Sequence, residues 1–173
     1  MGGYVWELPF ASGLTGAPGA ILRGWSFGGI ITLQTGTPFM ITQSGDSQNL
    51  DSTGDSKPNL VPGQKAALDR SERRPFRWFN TAAFSRSVLE YGNAPRNMLF
   101  GPATELFDLS LAKAFKMPYR DNHRLEFRAN FFNAFNRPQF DNPGSVLGTG
   151  SFGVVTGTKG NNREIQFGLK YIF

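Results

Sequence analysis

The sequence contains no cysteine and only one histidine, His123. The missing thiols exclude a disulfide framework and are compatible with an exported, disulfide-free protein. His123 follows Asp121 and Asn122 in a short turn-like stretch, and no strand–turn–helix elbow offers it a nucleophile. The chain therefore reads as a non-enzyme. Gly150-Ser-Phe-Gly-Val-Val-Thr-Gly157 is not followed by Lys-Ser/Thr or by a helical pattern, which removes a phosphate loop, and no cofactor is expected. There is no run of about 18 apolar residues for a membrane-spanning helix. That absence is silent about barrels, whose strands hide a lipid face in an alternating pattern of weak hydropathy. Met1-Gly-Gly-Tyr-Val-Trp-Glu7 lacks the charged and apolar regions of a signal peptide.

What the 173 residues do have is β-forming material: 17 Phe and 14% aromatics, punctuated by 21 Gly and 11 Pro. The net charge of +5 would suit an acidic partner, but arginines and lysines on loops and in a solvated lumen explain it more simply. Alternation marks five strands, broken in the last of them only by Ile172, since successive side chains on a strand point to opposite faces. Tyr4, Trp6, Leu8 and Phe10 alternate with Gly3, Val5, Glu7 and Pro9; a Gly/Pro-rich turn over 12–19 follows. A second strand is predicted over Leu22 to Thr35, with Trp25, Phe27, Ile31 and Leu33 on one face. The third covers Glu105 to Lys116, setting Phe107, Leu109, Leu111 and Phe115 against Asp108, Ser110 and Lys116. In the fourth, Leu125, Phe127, Ala129 and Phe131 alternate with Arg124, Glu126, Arg128 and Asn130.

The fifth strand is the most telling. Ile165, Phe167, Leu169, Tyr171 and Phe173 share one face, and Gln166, Gly168 and Lys170 the other. A chain that stops on the last aromatic of a strand resembles the closing strand of an outer-membrane barrel, with Gln166, Gly168, Tyr171 and Phe173 in the slots that the barrel-assembly machinery reads. The connections agree. Counted back from the closing strand they run long (133–162), short (118–122), long (43–103) and shorter (12–19), the alternation of external loops and periplasmic turns. The predicted fold is all-β: an antiparallel, up-and-down transmembrane β-barrel segment of about five strands with long external loops. Bacterial single-chain barrels start at about eight strands, so five leave the barrel incomplete, and an export signal must lie elsewhere. Residues 1–173 are accordingly expected to be the carboxy-terminal portion of a longer protein, located in the cell outer membrane.

Two loop segments invite site readings. Asp46, Asp51 and Asp55 offer hard oxygen ligands, but their spacing matches no calcium loop, and turn-forming Asp, Asn, Ser and Gly account for them; no metal site is predicted. Arg70, Arg73, Arg74 and Arg77 are interleaved with Phe76, Trp78 and Phe79. On a soluble protein this would fit single-stranded nucleic acid; on an external loop it fits lipopolysaccharide phosphates or an anionic ligand; and it also fits a loop that packs its aromatics while its arginines stay hydrated. Arg70, Arg73, Arg74, Arg77 and Trp78 are kept as external surface or ligand contacts, and no nucleic-acid partner is expected.

Gly24-Trp-Ser-Phe-Gly-Gly-Ile-Ile-Thr-Leu-Gln-Thr-Gly-Thr-Pro-Phe39, Trp78-Phe-Asn-Thr-Ala-Ala-Phe84, Gly92-Asn-Ala-Pro-Arg-Asn97, Gly101-Pro102 and Arg124-Leu-Glu-Phe-Arg-Ala-Asn-Phe-Phe-Asn-Ala-Phe-Asn-Arg-Pro-Gln-Phe140 occur in this order. Together they are similar to the carboxy-terminal end of TonB-dependent, Oar-like outer-membrane receptors. The resemblance implies a 22-stranded barrel occluded by an amino-terminal plug and energised through a TonB box, none of which these residues contain. The expected role is part of the wall and extracellular mouth of a substrate-uptake channel. Its partners would be outer-membrane lipid, the barrel-assembly machinery, the remainder of the barrel and plug, and TonB through the missing amino-terminal part. An adhesion or structural barrel without transport is the alternative; a secreted β-sandwich binding module is the remoter one.

Overall fold

The computed structural model describes residues 1–10, 13–49, 56–117 and 123–173. In chain order the elements are β1 (Gly2–Glu7), α1 (Gly16–Leu22), β2 (Trp25–Gln34), β3 (Pro38–Phe39), β4 (Thr42–Gln43) and β5 (Asn59–Leu60). They continue with a 3-10 turn (Thr81–Ala83), β6 (Phe84–Ser85), β7 (Leu99–Phe100), β8 (Thr104–Lys116), β9 (Arg124–Phe132), β10 (Val146–Leu147) and β11 (Glu164–Ile172). These elements fall into two compact units, one of residues 1–34, 105–138 and 160–173, the other of residues 35–104 and 139–159.

The first unit is the predicted sheet. Its order is β1-β2-β8-β9-β11, each strand beside the next long strand in the chain, and it is antiparallel. The outer strands β1 and β11 are not paired with each other, so the barrel is not closed. Strand lengths match the alternation in the sequence except at the first hairpin. β1 ends at Glu7 rather than running on to Phe10. The Leu8 amide still donates to the Trp25 carbonyl at 2.8 Å, but Pro9 has no N–H to continue the ladder. Beyond it, the stretch expected to be a turn holds α1, and Leu22 belongs to that helix instead of to β2. Pro18 falls in the first helical turn, where a missing N–H costs nothing. Gly24, at φ +72, ends the helix just past its Arg23 cap.

The second unit is built from the two long connections. Residues 35–104 and 139–159 fold together around Phe39, Ile41, Phe79, Phe84 and Leu99, with Leu60, Trp78, Leu147 and Phe152 packed against them. Phe79 is at the centre, its ring 5.1 Å from that of Phe152, 5.8 Å from Phe84 and 6.0 Å from Phe39. Three two-residue ladders tie the unit: β3 with β7, β5 with β6, and β10 parallel to β4. Backbones approach closely here. A Cβ on Gly36 would stand 1.8 Å from the Gly101 carbonyl oxygen, and neither backbone can give way. Gly36→Ala is therefore expected to destabilise this unit by on the order of 3 kcal/mol, at the upper end of overpacking costs. Faster amide exchange over 35–104 checks it; unchanged exchange would contradict the close packing.

Candidate functional site

The register divides the sheet into two chemically distinct faces. On β9, Leu125, Phe127, Ala129 and Phe131 stand opposite Phe115, Lys113, Leu111 and Leu109 of β8 and opposite Tyr171, Leu169, Phe167 and Ile165 of β11. The other face carries Arg124, Glu126, Arg128 and Asn130, flanked by Lys116, Ala114, Ala112 and Ser110 on one side and Lys170, Gly168 and Gln166 on the other. Arg124 donates from Nε to Glu126 Oε1 at 2.9 Å, and Lys170 is the cross-strand neighbour of Glu126. Such half-exposed pairs contribute only a few tenths of a kcal/mol each, about 0.2–1; their importance lies in keeping the row wettable. Arg128 lies between Ala112 and Gly168, so its guanidinium is unobstructed, and among the described residues it has no side-chain partner. A groove of about 780 Å³ runs past Glu7, Ser26, Glu126, Arg128, Gly168 and Lys170.

The four closing-strand positions divide between the faces. Gln166 pairs with Asn130 and Gly168 with Arg128 on the polar side, while Tyr171 pairs with Leu125 on the apolar side. Phe173 lies just beyond β11, 87% exposed, stacked on Tyr171 with ring centroids 6.2 Å apart. His123 has a structural partner: its Nδ1 is hydrogen-bonded to the Tyr171 hydroxyl. Asp121 and Asn122, with the rest of the short turn 118–122, lie outside the described residues, as do Asp51 and Asp55 of the aspartate-rich segment. Asp46 accepts the Asn49 amide through its backbone oxygen at 3.2 Å.

The arginine–aromatic segment sorts itself by contact. Arg74-Pro75-Phe76-Arg77 is a tight turn closed by reciprocal backbone bonds, Arg74 N–H to Arg77 O at 3.0 Å and Arg77 N–H to Arg74 O at 2.9 Å. Pro75 favours such a turn by presetting its φ. The turn is anchored by Val155 N–H to the Pro75 carbonyl at 2.7 Å and by Trp78 N–H to the Gly153 carbonyl at 2.8 Å, leaving Phe76 73% exposed at the tip. Arg73 is committed internally, donating to the Leu68 carbonyl at 3.0 Å and lying 5.9 Å from the Trp78 ring. Arg74 donates to the carbonyls of Ser71 and Arg73 at 2.7 and 2.8 Å. Trp78 is half-buried, its indole N–H bound to the Phe100 carbonyl at 2.9 Å. Only Arg70 and Arg77 of the five candidates are exposed without a side-chain partner among the described residues.

Two features escaped the sequence reading. Lys113 stands in the apolar row of β8, where alternation expects an apolar residue. Gln43, Gln48 and Ser87 are buried in the second unit. Gln43 Nε2 donates to the Ser87 carbonyl at 2.9 Å, Ser87 N–H to Gln43 Oε1 at 3.0 Å, and Gln48 Nε2 to the Lys57 carbonyl at 2.7 Å. Uncharged amides within a polar stretch were the available signal, because a side-chain amide can both donate and accept inside a core.

No curated protein and no solved structure matches the chain. A family model described as an outer membrane beta barrel domain matches residues 1–166, nearly the whole sequence. With a five-stranded antiparallel sheet that is apolar on one face and charged on the other, the chain belongs to the outer membrane β-barrel domain family and is a protein of the cell outer membrane.

Proposed function

We propose that the chain forms part of the wall and extracellular mouth of a substrate-uptake barrel of the TonB-dependent, Oar-like kind. The observation that carries this reading is the polar row Arg124, Glu126, Arg128 and Asn130, continued by Lys170 and Gln166 on β11 and by Ser110 and Lys116 on β8. A charged wall needs water, and inside a barrel that water is the lumen through which a hydrated substrate passes. Both long connections leave the sheet from one end, where β2 and β9 finish and β8 and β11 begin. We assign that end to the cell exterior, because barrels carry their long loops there. Arg77, which closes the tight turn, and Arg70, ahead of it in the chain, are then external contacts for anionic groups, and the closing strand is the handle for the assembly machinery.

The test has two arms. A tag at Asn142 is expected to be labelled on intact cells and one at Asp121 is not; the reverse result inverts the orientation. Photo-crosslinking in cells, with the probe in the amino-terminal part of the full-length protein, is expected to give an adduct with TonB. Absence of the adduct, with normal surface exposure and retained attachment of the cells to surfaces, would favour the adhesion or structural barrel.

A further inference from the structure

A single lysine interrupts the apolar row. Lys113 lies between Leu111 and Phe115 on β8 and opposite Phe127 on β9, with 4% of its surface exposed. Its ammonium donates to the carbonyls of Ile21, at 2.7 Å, and Arg23, and it stands 4.7 Å from the Phe115 ring centroid and 5.5 Å from that of Trp25. The Trp25 indole N–H donates to the same Ile21 oxygen at 3.0 Å. Ile21 is in the last turn of α1, whose carbonyls have no partner within the helix and carry the negative end of its dipole. Lysine and helix end thus solve each other's problem. An unpaired ammonium and unpaired carbonyls are both costly beside hydrocarbon, and here each satisfies the other.

The contact fastens the carboxy-terminal end of α1 to the apolar side of the sheet, at the end where β1 and β2 are joined. The helix it fastens is apolar all round. Gly16-Ala-Pro-Gly-Ala-Ile-Leu22 contains no charged residue, and only Gly19 is buried. Ile21 and Leu22 are 59% and 50% exposed, and Leu14, just before the helix, is 42% exposed. A helix with no polar face is a buried helix, and the surface continuous with this one is the lipid-facing row of the barrel. We infer that α1 is a lipid-interface helix, held by Lys113 and Trp25, whose Leu14, Ile21 and Leu22 side chains enter the boundary between phospholipid headgroups and acyl chains. Lys113 is its positioning residue. The inference rests on the apolar row facing lipid, as the barrel reading requires.

Residues 1–173 contain no cysteine, so once any cysteine elsewhere in the full-length protein is replaced by serine, each introduced label is read alone. Single spin labels are placed at Leu22→Cys, at Phe167→Cys on the sheet and at Ser71→Cys in the second unit. The full-length protein is reconstituted in vesicles of phosphatidylethanolamine and phosphatidylglycerol. Accessibility is read with oxygen, which partitions into lipid, and with a water-soluble nickel chelate. The label at Leu22 is expected to follow that at Phe167, favouring oxygen, while Ser71 favours nickel. Lys113→Met is expected to raise nickel access at Leu22 several-fold, and Lys113→Arg to restore it. If Leu22 behaves like Ser71 while Phe167 stays in lipid, the helix is not interfacial and the inference fails alone. If Phe167 is also reached by nickel, the barrel reading fails and takes the inference with it. The labels in the otherwise native chain decide the matter even if the Lys113→Met protein does not insert.

Discussion

Replacing Tyr171 and Phe173 together by alanine is expected to lower the amount of protein inserted in the outer membrane by about tenfold or more, since truncating two aromatic anchors at a recognition surface removes roughly 2 kcal/mol or more. The finished fold has little to lose from the same change. β11 is held to β9 by a backbone ladder running in register from Glu164↔Phe132 to Ile172↔Arg124, and Phe173 remains 87% exposed. What does insert should therefore resist heat and detergent nearly as the wild type does. The readout is the protein in membrane fractions at matched synthesis, together with heat-modified mobility in gels. Tyr171→Phe separates the roles of ring and hydroxyl: it keeps the stack on Phe173, loses the bond to His123, and should insert normally. Wild-type insertion of the double variant would remove the closing-strand signal from the account.

Phe79→Ala should melt the second unit and leave the sheet standing. The ring is 1% exposed and meets Phe39, Phe84 and Phe152 at edge-on or tilted angles. Removing a buried phenyl of this kind costs about 3–5 kcal/mol through lost transfer energy and a residual cavity, and domains have only about 5–15 kcal/mol in total. Residues 35–104 and 139–159 should then exchange amide protons and be cut by protease on intact cells, whereas β8, β9 and β11 keep their protection. Loss of protection in both units together would mean that they do not melt separately. No loss at all would mean that the aromatic cluster is not what orders the unit. Because the turn bearing Arg77 is anchored through Gly153 and Val155, the same variant should also abolish any anion binding that Arg77 provides.

The five long strands were legible because a strand that separates lipid from water must alternate, and alternation is visible in one dimension. β9 is the clearest case: its Arg124-Glu126-Arg128-Asn130 row and its Leu125-Phe127-Ala129-Phe131 row needed no partner to be recognised. The class of protein did not follow from alternation alone, which a sandwich shares; it came from the closing strand, the long–short order of the connections and the resemblance of the motifs to a receptor family. The arginine cluster was legible as a cluster and no further. Which guanidiniums were free depended on the Leu68 and Ser71 carbonyls and the Trp78 ring, groups whose positions no spacing rule supplies.

By itself, then, the sequence determined the sheet, its two faces and its order, since period-two alternation and connection lengths are local quantities. Only the tertiary structure decided that residues 35–104 and 139–159 share one core. Phe39, Ile41, Phe79, Phe84, Leu99 and Phe152 recur with no period, and only turns closed by specific backbone bonds bring them together. It likewise decided that Gly16–Leu22 is a helix. Gly and Pro weigh against one locally, and the donors that satisfy its end, Lys113 and Trp25, come from two strands of the sheet.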